Sequence, residues 1–184
     1  MIKVKNDSRI SLLVEGYPRN GYQTYSKLVG RSTSGLCISR LHPDYVAQKY
    51  DLEMSKRYWL SNQSGEENIA PKSLNQLVKV VRSELRGRSG SKIFLDGLEY
   101  LLLFNDMNKV LDTLSEIDSL LKAARAELVM AIDPLTFEQK DLERMWGAFP
   151  RYTAEELLAK YSVGGSINIP TSIGAERERS DVRV

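Results

Sequence analysis

The chain is poor in the residues on which metal and redox chemistry depend. Its 184 residues include one cysteine, Cys37, and one histidine, His42. A single cysteine excludes an intramolecular disulfide, and the two residues together offer too few soft ligands for a zinc site. A histidine-based catalytic triad could use only His42. We expect Cys37 to be a small buried residue of an apolar strand and His42 to begin a helix before Pro43.

The sequence also lacks a strong charge imbalance and long hydrophobic runs. Its 26 Lys and Arg residues nearly balance 24 Asp and Glu, giving a net charge of +2. This charge predicts no general attraction to nucleic acid or to a membrane. No apolar run reaches the roughly 20 residues that span a bilayer, and the first seven residues lack a signal-peptide core. We therefore expect a cytoplasmic protein.

One local basic cluster leaves nucleic-acid binding as a less favoured alternative. Positive charge around a predicted helix end is the ordinary complement of the helix dipole, although it could also meet phosphates. The cluster consists of Lys79, Arg82, Arg86, Arg88 and Lys92.

Strand and helix patterns alternate along most of the chain. Apolar runs predict strands at 10–14, 35–39, 57–61, 92–96 and 128–133. Helical periodicity predicts helices at about 21–31, 42–50, 71–81 and 105–125, and Thr136 with Gln139 predicts the capping box of another. This order is typical of a three-layer α/β domain with a mainly parallel, five-stranded sheet.

The organisation changes near residue 150, so we divide the chain into residues 1–150 and 151–184. Thr153 and Glu156 predict a capping box that opens a short helix ending near Tyr161. From Ser162 onward the composition favours an extended or disordered tail. The alternative is a partner-binding segment, because isoleucines at 167, 169 and 173 could add to a sheet edge.

The segment after the first strand has the frame of a phosphate-binding P-loop. Gly16 and Gly21 keep the spacing of Gly-x-x-x-x-Gly-Lys-Ser/Thr, in which backbone N–H groups wrap phosphates, the lysine reaches the β- and γ-phosphates and the hydroxyl holds Mg²⁺. Here Tyr22 replaces the lysine and Gln23 replaces the hydroxyl residue. We therefore predict no active nucleoside triphosphatase. The degenerate loop comprises Gly16, Tyr17, Pro18, Arg19, Asn20, Gly21, Tyr22 and Gln23; a simple strand-to-helix turn is the alternative.

A second segment fits the same interpretation. The apolar strand 92–96 ends in Asp96, as does a Walker B strand whose acid helps to hold Mg²⁺. In doubly wound sheets the carboxyl ends of strands share a crevice, so Asp96 and Glu99 could lie near the degenerate loop. Asp96 could equally be a turn residue before Gly97, and Glu99 could pair with a cation or be solvated.

Four segments in order resemble a known family. Residues 36–43, 58–61, 95–101 with Asn105, and 132–134 are similar to the signature segments of the domain of unknown function 835, a largely archaeal family. The resemblance covers roughly residues 10–148. It implies a degenerate relative of the KaiC/RecA-type P-loop ATPases, and members are often fused to PAS and histidine-kinase sensor modules.

The resemblance implies a non-catalytic signalling or scaffolding module, a pseudo-ATPase that binds a protein partner, such as a sensor component, and needs no cofactor. It also implies a homo-oligomer. Tyr17, Arg19, Tyr22 and Tyr25 could form the recognition surface, since Tyr and Arg are favoured interface anchors. The alternative function is regulatory nucleotide binding without hydrolysis, in which the loop N–H groups hold the anion and Arg19 supplies charge.

Overall fold

The computed structural model describes residues 7–30 and 35–162. The strands are β1 Ile10–Val14, β2 Leu36–Ser39, β3 Lys56–Leu60, β4 Asn68–Ile69, β5 Lys92–Asp96, β6 Glu127–Ile132 and β7 Arg151–Tyr152. The helices are α1 Gly21–Val29, α2 Pro43–Tyr50, α3 Leu74–Leu85, α4 Leu98–Leu102, α5 Met107–Ala123, α6 Gln139–Ala148 and α7 Ala154–Ser162, with a 3₁₀ turn at Pro134–Thr136.

The seven strands form one parallel sheet in the order β4-β3-β2-β5-β6-β1-β7. The prediction of a parallel α/β sheet is confirmed, but the predicted count of five strands is too low. The two additional strands, β4 and β7, have two residues each and lie at the two sheet edges. Strands this short carry no periodic hydrophobic signal. The order also places β6 between β1 and β5, the two strands on which the sequence argument depends.

Helices cover both faces of the sheet because its central strands are apolar on both sides. In β1, β2, β5 and β6 nearly every residue is buried. One hydrophobic core joins the sheet to α3, α5 and α6, and a second joins its other face to α1, α2 and α7. This gives the three layers expected of the pattern.

Several helix boundaries differ from the sequence prediction. Helix α3 begins at Leu74 rather than at Pro71, and the short helix α4 directly after β5 was not predicted. The predicted capping box of Thr136 and Gln139 is wrong, because Thr136 closes a 3₁₀ turn and Glu138 takes the N-cap position of α6. The same motif is confirmed at Thr153, whose Oγ1 accepts from the Glu156 N–H at 3.2 Å while its own N–H donates to Glu156 Oε2 at 2.9 Å.

Residues 151–162 continue the layers built by the preceding chain. Strand β7 pairs with β1, and α7 contacts α1 and buries Leu157 in the second core. The predicted tail begins at Ser162, which is the last residue of α7, and the rest of it, including the isoleucines at 167, 169 and 173, lies outside the described residues. Within the described ranges, no helix combines the length and apolar character needed to cross a membrane.

Candidate functional site

The candidate site lies at the carboxyl edge of the sheet, where four neighbouring strands end. Parallel strands bring their carboxyl ends to one edge, and the order β2-β5-β6-β1 brings together the segments that follow these strands. Each contributes a polar residue there. They are Glu15 after β1, Ser39 at the end of β2, Asp96 at the end of β5 and Asp133 after β6.

Glu15 places its carboxyl group against the backbone at the end of the degenerate loop. Its side chain is buried, and Oε2 accepts a hydrogen bond from the Gly21 N–H at 2.8 Å, at the N-terminus of α1. A helix N-terminus with free N–H groups favours a negative charge, and here the chain supplies that charge itself. Burial raises the pKa of Glu15, and the nearby charge of Asp96 adds to the rise, while the Gly21 N–H and Arg19 oppose it.

Gly21 is required by this arrangement, whereas Gly16 is not. A Cβ atom on Gly21 would lie 2.8 Å from Glu15 Oε2 and 3.2 Å from Phe94 Cζ. A Cβ atom on Gly16 would meet nothing within 4 Å. The second glycine of the motif thus makes room for a carboxylate and a core phenyl ring.

Tyr22, at the motif's lysine position, ties α1 to the ends of β2 and β5. Its hydroxyl donates to Asp96 Oδ2 at 2.5 Å and lies 2.5 Å from Ser39 Oγ, which accepts from the Leu41 N–H at 2.8 Å. The ring stacks on Tyr50 with centroids 4.8 Å apart. Burial, together with the adjacent Asp96, raises the pKa of Tyr22 far above its ordinary value, so the hydroxyl remains a neutral donor.

Two arginines complete the charge balance around Asp96, whose side chain is almost fully buried. Arg19 Nη1 lies 3.7 Å from Asp96 Oδ1, and its Nη2 lies 4.0 Å from Asp133 Oδ2. Arg40 Nε lies 3.9 Å from Asp96 Oδ2, and its Nη1 lies 3.0 Å from Glu99 Oε1. Glu99 is therefore the partner of a cation, one of the two roles that the sequence left open.

The structure corrects the expected recognition surface. Tyr22 is 4% exposed and Tyr25 is fully buried, with its hydroxyl donating to the Lys92 carbonyl at 2.8 Å. Arg19 is mostly covered and committed to carboxylates. Of the four expected residues, Tyr17 alone is freely exposed, at 99%. The other exposed members of the degenerate loop are Gly16, Pro18, Asn20 and Gln23.

The apolar surface at this edge continues onto the segment after β6. Leu135 is 93% exposed, next to Pro134 and two residues beyond Asp133. Because Arg19 reaches Asp133, the loop that carries Tyr17 and the turn that carries Leu135 are neighbours. We call Tyr17 and Leu135 together the apolar corner.

Sequence reasoning missed Glu15, Ser39, Arg40 and Asp133 as site residues. Each lies at or directly after the end of a predicted parallel strand, which is the signal that could have identified them. Choosing among such residues requires the strand order, which the sequence did not supply. His42 and Cys37 lie as expected, since His42 caps α2 by accepting from the Asp44 N–H and Cys37 is buried.

The site is rich in carboxylates, but they do not form a cation cage. In the described ranges, no group of three or more His, Cys, Asp or Glu side chains has an arrangement able to hold a metal ion. Asp96 and Glu99, the Walker B-like pair, instead face Tyr22 and Arg40. These hydrogen bonds link helix α1 to the carboxyl ends of strands β1, β2 and β5.

Comparison with protein families finds a relationship that covers most of the chain. A family model described as "Protein of unknown function (DUF835)" matches residues 17–148, from the loop after β1 to the end of α6. No curated protein matches the sequence. Because the family model covers well over half of the chain, the protein belongs to the DUF835 family.

Proposed function

We propose that this member of the DUF835 family is a non-catalytic signalling or scaffolding module that works by binding another protein. In this proposal it descends from KaiC/RecA-type P-loop ATPases and has lost their chemistry. The observation that carries the proposal is the hydrogen bond of 2.8 Å from the Gly21 N–H to the Glu15 carboxylate. In an ATPase loop, this N–H would bind phosphate. A phosphate group there would meet a buried negative charge without a lysine to offset it.

The remaining charges of the site favour the same interpretation. Asp96, which would help to hold Mg²⁺ in an ATPase, accepts a hydrogen bond from the Tyr22 hydroxyl and lies near two arginines. Arg19, the loop cation, is shared between Asp96 and Asp133. Nucleotide binding would have to break these contacts before making new ones. Regulatory nucleotide binding therefore has less support than protein binding.

The proposed docking surface is the apolar corner of Tyr17 and Leu135. Single exposed apolar residues are common, but here two large ones project from adjacent loops. Both loops follow buried strands, and the Arg19–Asp133 pair, 4.0 Å apart, links them, so little conformational entropy would be lost on binding. A tyrosine on such a support is a favoured interface anchor. The partner is a protein, such as a sensor component or a second copy of the chain.

The absence of nucleotide binding is the first part of the proposal to test. Purified full-length protein is titrated with ATP, ADP and GTP by calorimetry, with and without Mg²⁺. We expect no saturable heat at millimolar nucleotide. Saturable binding with 1:1 stoichiometry would overturn the proposal in favour of a nucleotide-responsive switch.

The docking surface is tested by a double variant, Tyr17→Ser with Leu135→Ser. Proteins cross-linked to the chain in native extract are quantified for the wild type, the double variant and a control, Met54→Ser, which changes another exposed apolar residue. We expect the partner yield to fall about tenfold or more in the double variant, as for loss of an interface anchor, and to be unchanged in the control. Equal yields for all three proteins would exclude the apolar corner.

A further inference from the structure

We propose that the groove beside β7 binds an extended peptide segment of the protein partner, which inserts one apolar side chain and presents a carboxylate to Arg151. This inference rests on the proposed protein-binding function and adds the chemistry of the segment that is bound. Three features carry it: the shape of the groove, an arginine without an acidic partner, and an open sheet edge.

The groove lies at the same end of the sheet as the apolar corner. It has a volume of about 510 Å³. Its lining is formed by Val14, Pro134, Trp146, Arg151, Tyr152, Thr153 and Glu156. Val14 ends β1 shortly before Tyr17, and Pro134 directly precedes Leu135, so the groove and the apolar corner share one rim. Its walls include two aromatic rings, an aliphatic side chain and a proline, which suit an apolar side chain.

Arg151 gives the groove its charge preference. Its guanidinium lies over the Trp146 ring, 4.7 Å from the centroid, and it forms no ion pair with any described residue. Stacking fixes the guanidinium plane while leaving its donors available, and a carboxylate is the group that matches their geometry. Glu156, the other charged residue of the lining, accepts from the Thr153 N–H and caps α7. Of the two charged side chains in the lining, Glu156 therefore has a hydrogen-bond donor in the same chain, whereas Arg151 has no acidic partner among the described residues.

The backbone of β7 favours an extended ligand. The Pro150 carbonyl accepts from the Leu12 N–H at 2.8 Å and thus faces β1. Because backbone groups alternate between the two sides of a strand, the N–H and C=O of Arg151 face the outer side. Among residues 7–30 and 35–162, no strand pairs with β7 on that side. A peptide added there would receive main-chain hydrogen bonds next to the groove, as in binding by strand addition.

The support of this edge is rigid enough for specific recognition. The capping box of Thr153 and Glu156 fixes the start of α7, and Leu157 anchors that helix in the core. Lys160 Nζ lies over the Tyr152 ring, 5.0 Å from its centroid. Lys160 of α7 therefore holds the Tyr152 ring in place, and the ring needs no rearrangement to line the groove.

Selection from random peptides tests the predicted ligand chemistry. A phage-displayed library of 12-residue peptides is selected in parallel on full-length wild type, on Arg151→Glu and on the control Arg125→Glu. Arg125 is also exposed, has no acidic partner among the described residues and lies just before the amino end of β6, away from the carboxyl ends of the strands. We expect the wild type and the control to enrich peptides with an apolar residue one or two positions from Asp or Glu.

Binding of the most enriched peptide is then measured by calorimetry on all three proteins. We expect Arg151→Glu to weaken binding by about tenfold or more, because a charge pair becomes a repulsion, and Arg125→Glu to leave it unchanged. NMR of the wild type should show peptide-induced shifts at the Trp146 indole N–H and the Arg151 amide. Peptides without an acid, equal affinity for Arg151→Glu, or no enrichment would each overturn the inference.

Hydrogen exchange of the free protein tests whether the edge is open. We expect the Arg151 amide to exchange quickly and to become protected when peptide is added. Slow exchange without peptide would mean that the chain itself, or a second copy, already covers β7, and would overturn the inference.

The inference and the proposed function can fail separately. Saturable nucleotide binding would remove the proposed function even if acidic peptides bind at β7. Failure of peptide selection, with partner capture still dependent on Tyr17 and Leu135, would remove only the inference.

Discussion

Two neighbouring regions at one edge of the sheet differ in how far their polar groups are satisfied. In the cluster around the degenerate loop, Glu15, Tyr22 and Asp96 are buried and bonded to partners in the same chain. At the groove beside β7 and the adjoining apolar corner, Arg151 is exposed without an acidic partner among the described residues, and Tyr17 and Leu135 face solvent. A group that already has its partner gains little from a ligand, whereas an unmatched group gains more. The cluster around the degenerate loop is therefore structural, and the groove beside β7 with the adjoining apolar corner is the better candidate for binding.

The largest expected effect comes from removing the acid at the centre of the cluster. Asp96→Ala leaves the Tyr22 hydroxyl without its acceptor and leaves Arg19 and Arg40 without a shared carboxylate. Leaving the buried Tyr22 hydroxyl without this acceptor and weakening two partly exposed ion pairs together cost roughly 2–4 kcal/mol of the free energy of unfolding. Urea denaturation followed by circular dichroism measures the loss.

Asp112→Ala is the matched control for Asp96, since Asp112 is an exposed residue of α5. Surface substitutions of this kind change stability by about 0.5 kcal/mol or less. A similar small change for Asp96→Ala would show that the cluster is not structural and would reopen the question of a ligand.

The next largest loss of stability is expected for substitution of Gly21 but not of Gly16. Gly21→Val introduces carbon atoms into space next to Glu15 Oε2 and Phe94 Cζ, and overpacking of this kind costs roughly 1–3 kcal/mol. Gly16→Ala meets no atom within 4 Å, so we expect nearly wild-type stability. Thermal unfolding of both variants checks the difference. Equal destabilisation of the Gly21→Val and Gly16→Ala proteins would contradict the close packing of Glu15 against Gly21.

A smaller loss is expected when the Tyr22 hydroxyl alone is removed. Tyr22→Phe keeps the ring between Tyr50 and Phe94 but deprives Asp96 and Ser39 of a hydrogen-bond partner. The expected cost is about 1–3 kcal/mol, as for a buried group left unsatisfied. The control is Tyr45→Phe, which removes an exposed hydroxyl. Urea denaturation giving equal midpoints for both variants would argue against a structural role for Tyr22.

The sheet could be predicted from the sequence because burial on two faces leaves a strong pattern. Apolar runs such as 92–96 identify the central strands, and the alternation with helices identifies a parallel α/β sheet. The edge strands could not be predicted, because a two-residue strand such as Asn68–Ile69 is specified by its neighbour rather than by its own composition. Strand order, which decides what meets at the carboxyl edge, depends on such tertiary pairing.

The candidate site was predicted in position but not in its internal contacts. The spacing of Gly16 and Gly21, with Asp96 at a strand end, correctly located polar residues at the same edge. It could not show that Tyr22 turns inward, because an aromatic residue at helical spacing serves equally well in a core or at a surface. Glu15 was missed because the P-loop pattern begins one residue later, at Gly16.

The smallest expected effect is a change in how stability depends on pH. Because burial raises the pKa of Glu15 in the folded protein, the folded state holds that proton more tightly than the unfolded chain. As pH rises from the ordinary glutamate range through the raised pKa, the unfolded chain loses the proton first, so the free energy of unfolding falls. Glu15→Gln removes this titration and still offers an oxygen to the Gly21 N–H.

Urea denaturation at each pH from 4 to 8 gives the free energy of unfolding of the wild type and of Glu15→Gln. The quantity to follow is the wild-type value minus the variant value. The difference should fall as pH rises through that interval and then level off. A flat difference for Glu15 would mean that its carboxylate is solvated rather than buried in the loop, so that the anion position is open and the contrast with the groove beside β7 is lost. A difference that rises with pH would mean that the Gly21 N–H and Arg19 outweigh burial and lower the pKa of Glu15 in the folded protein.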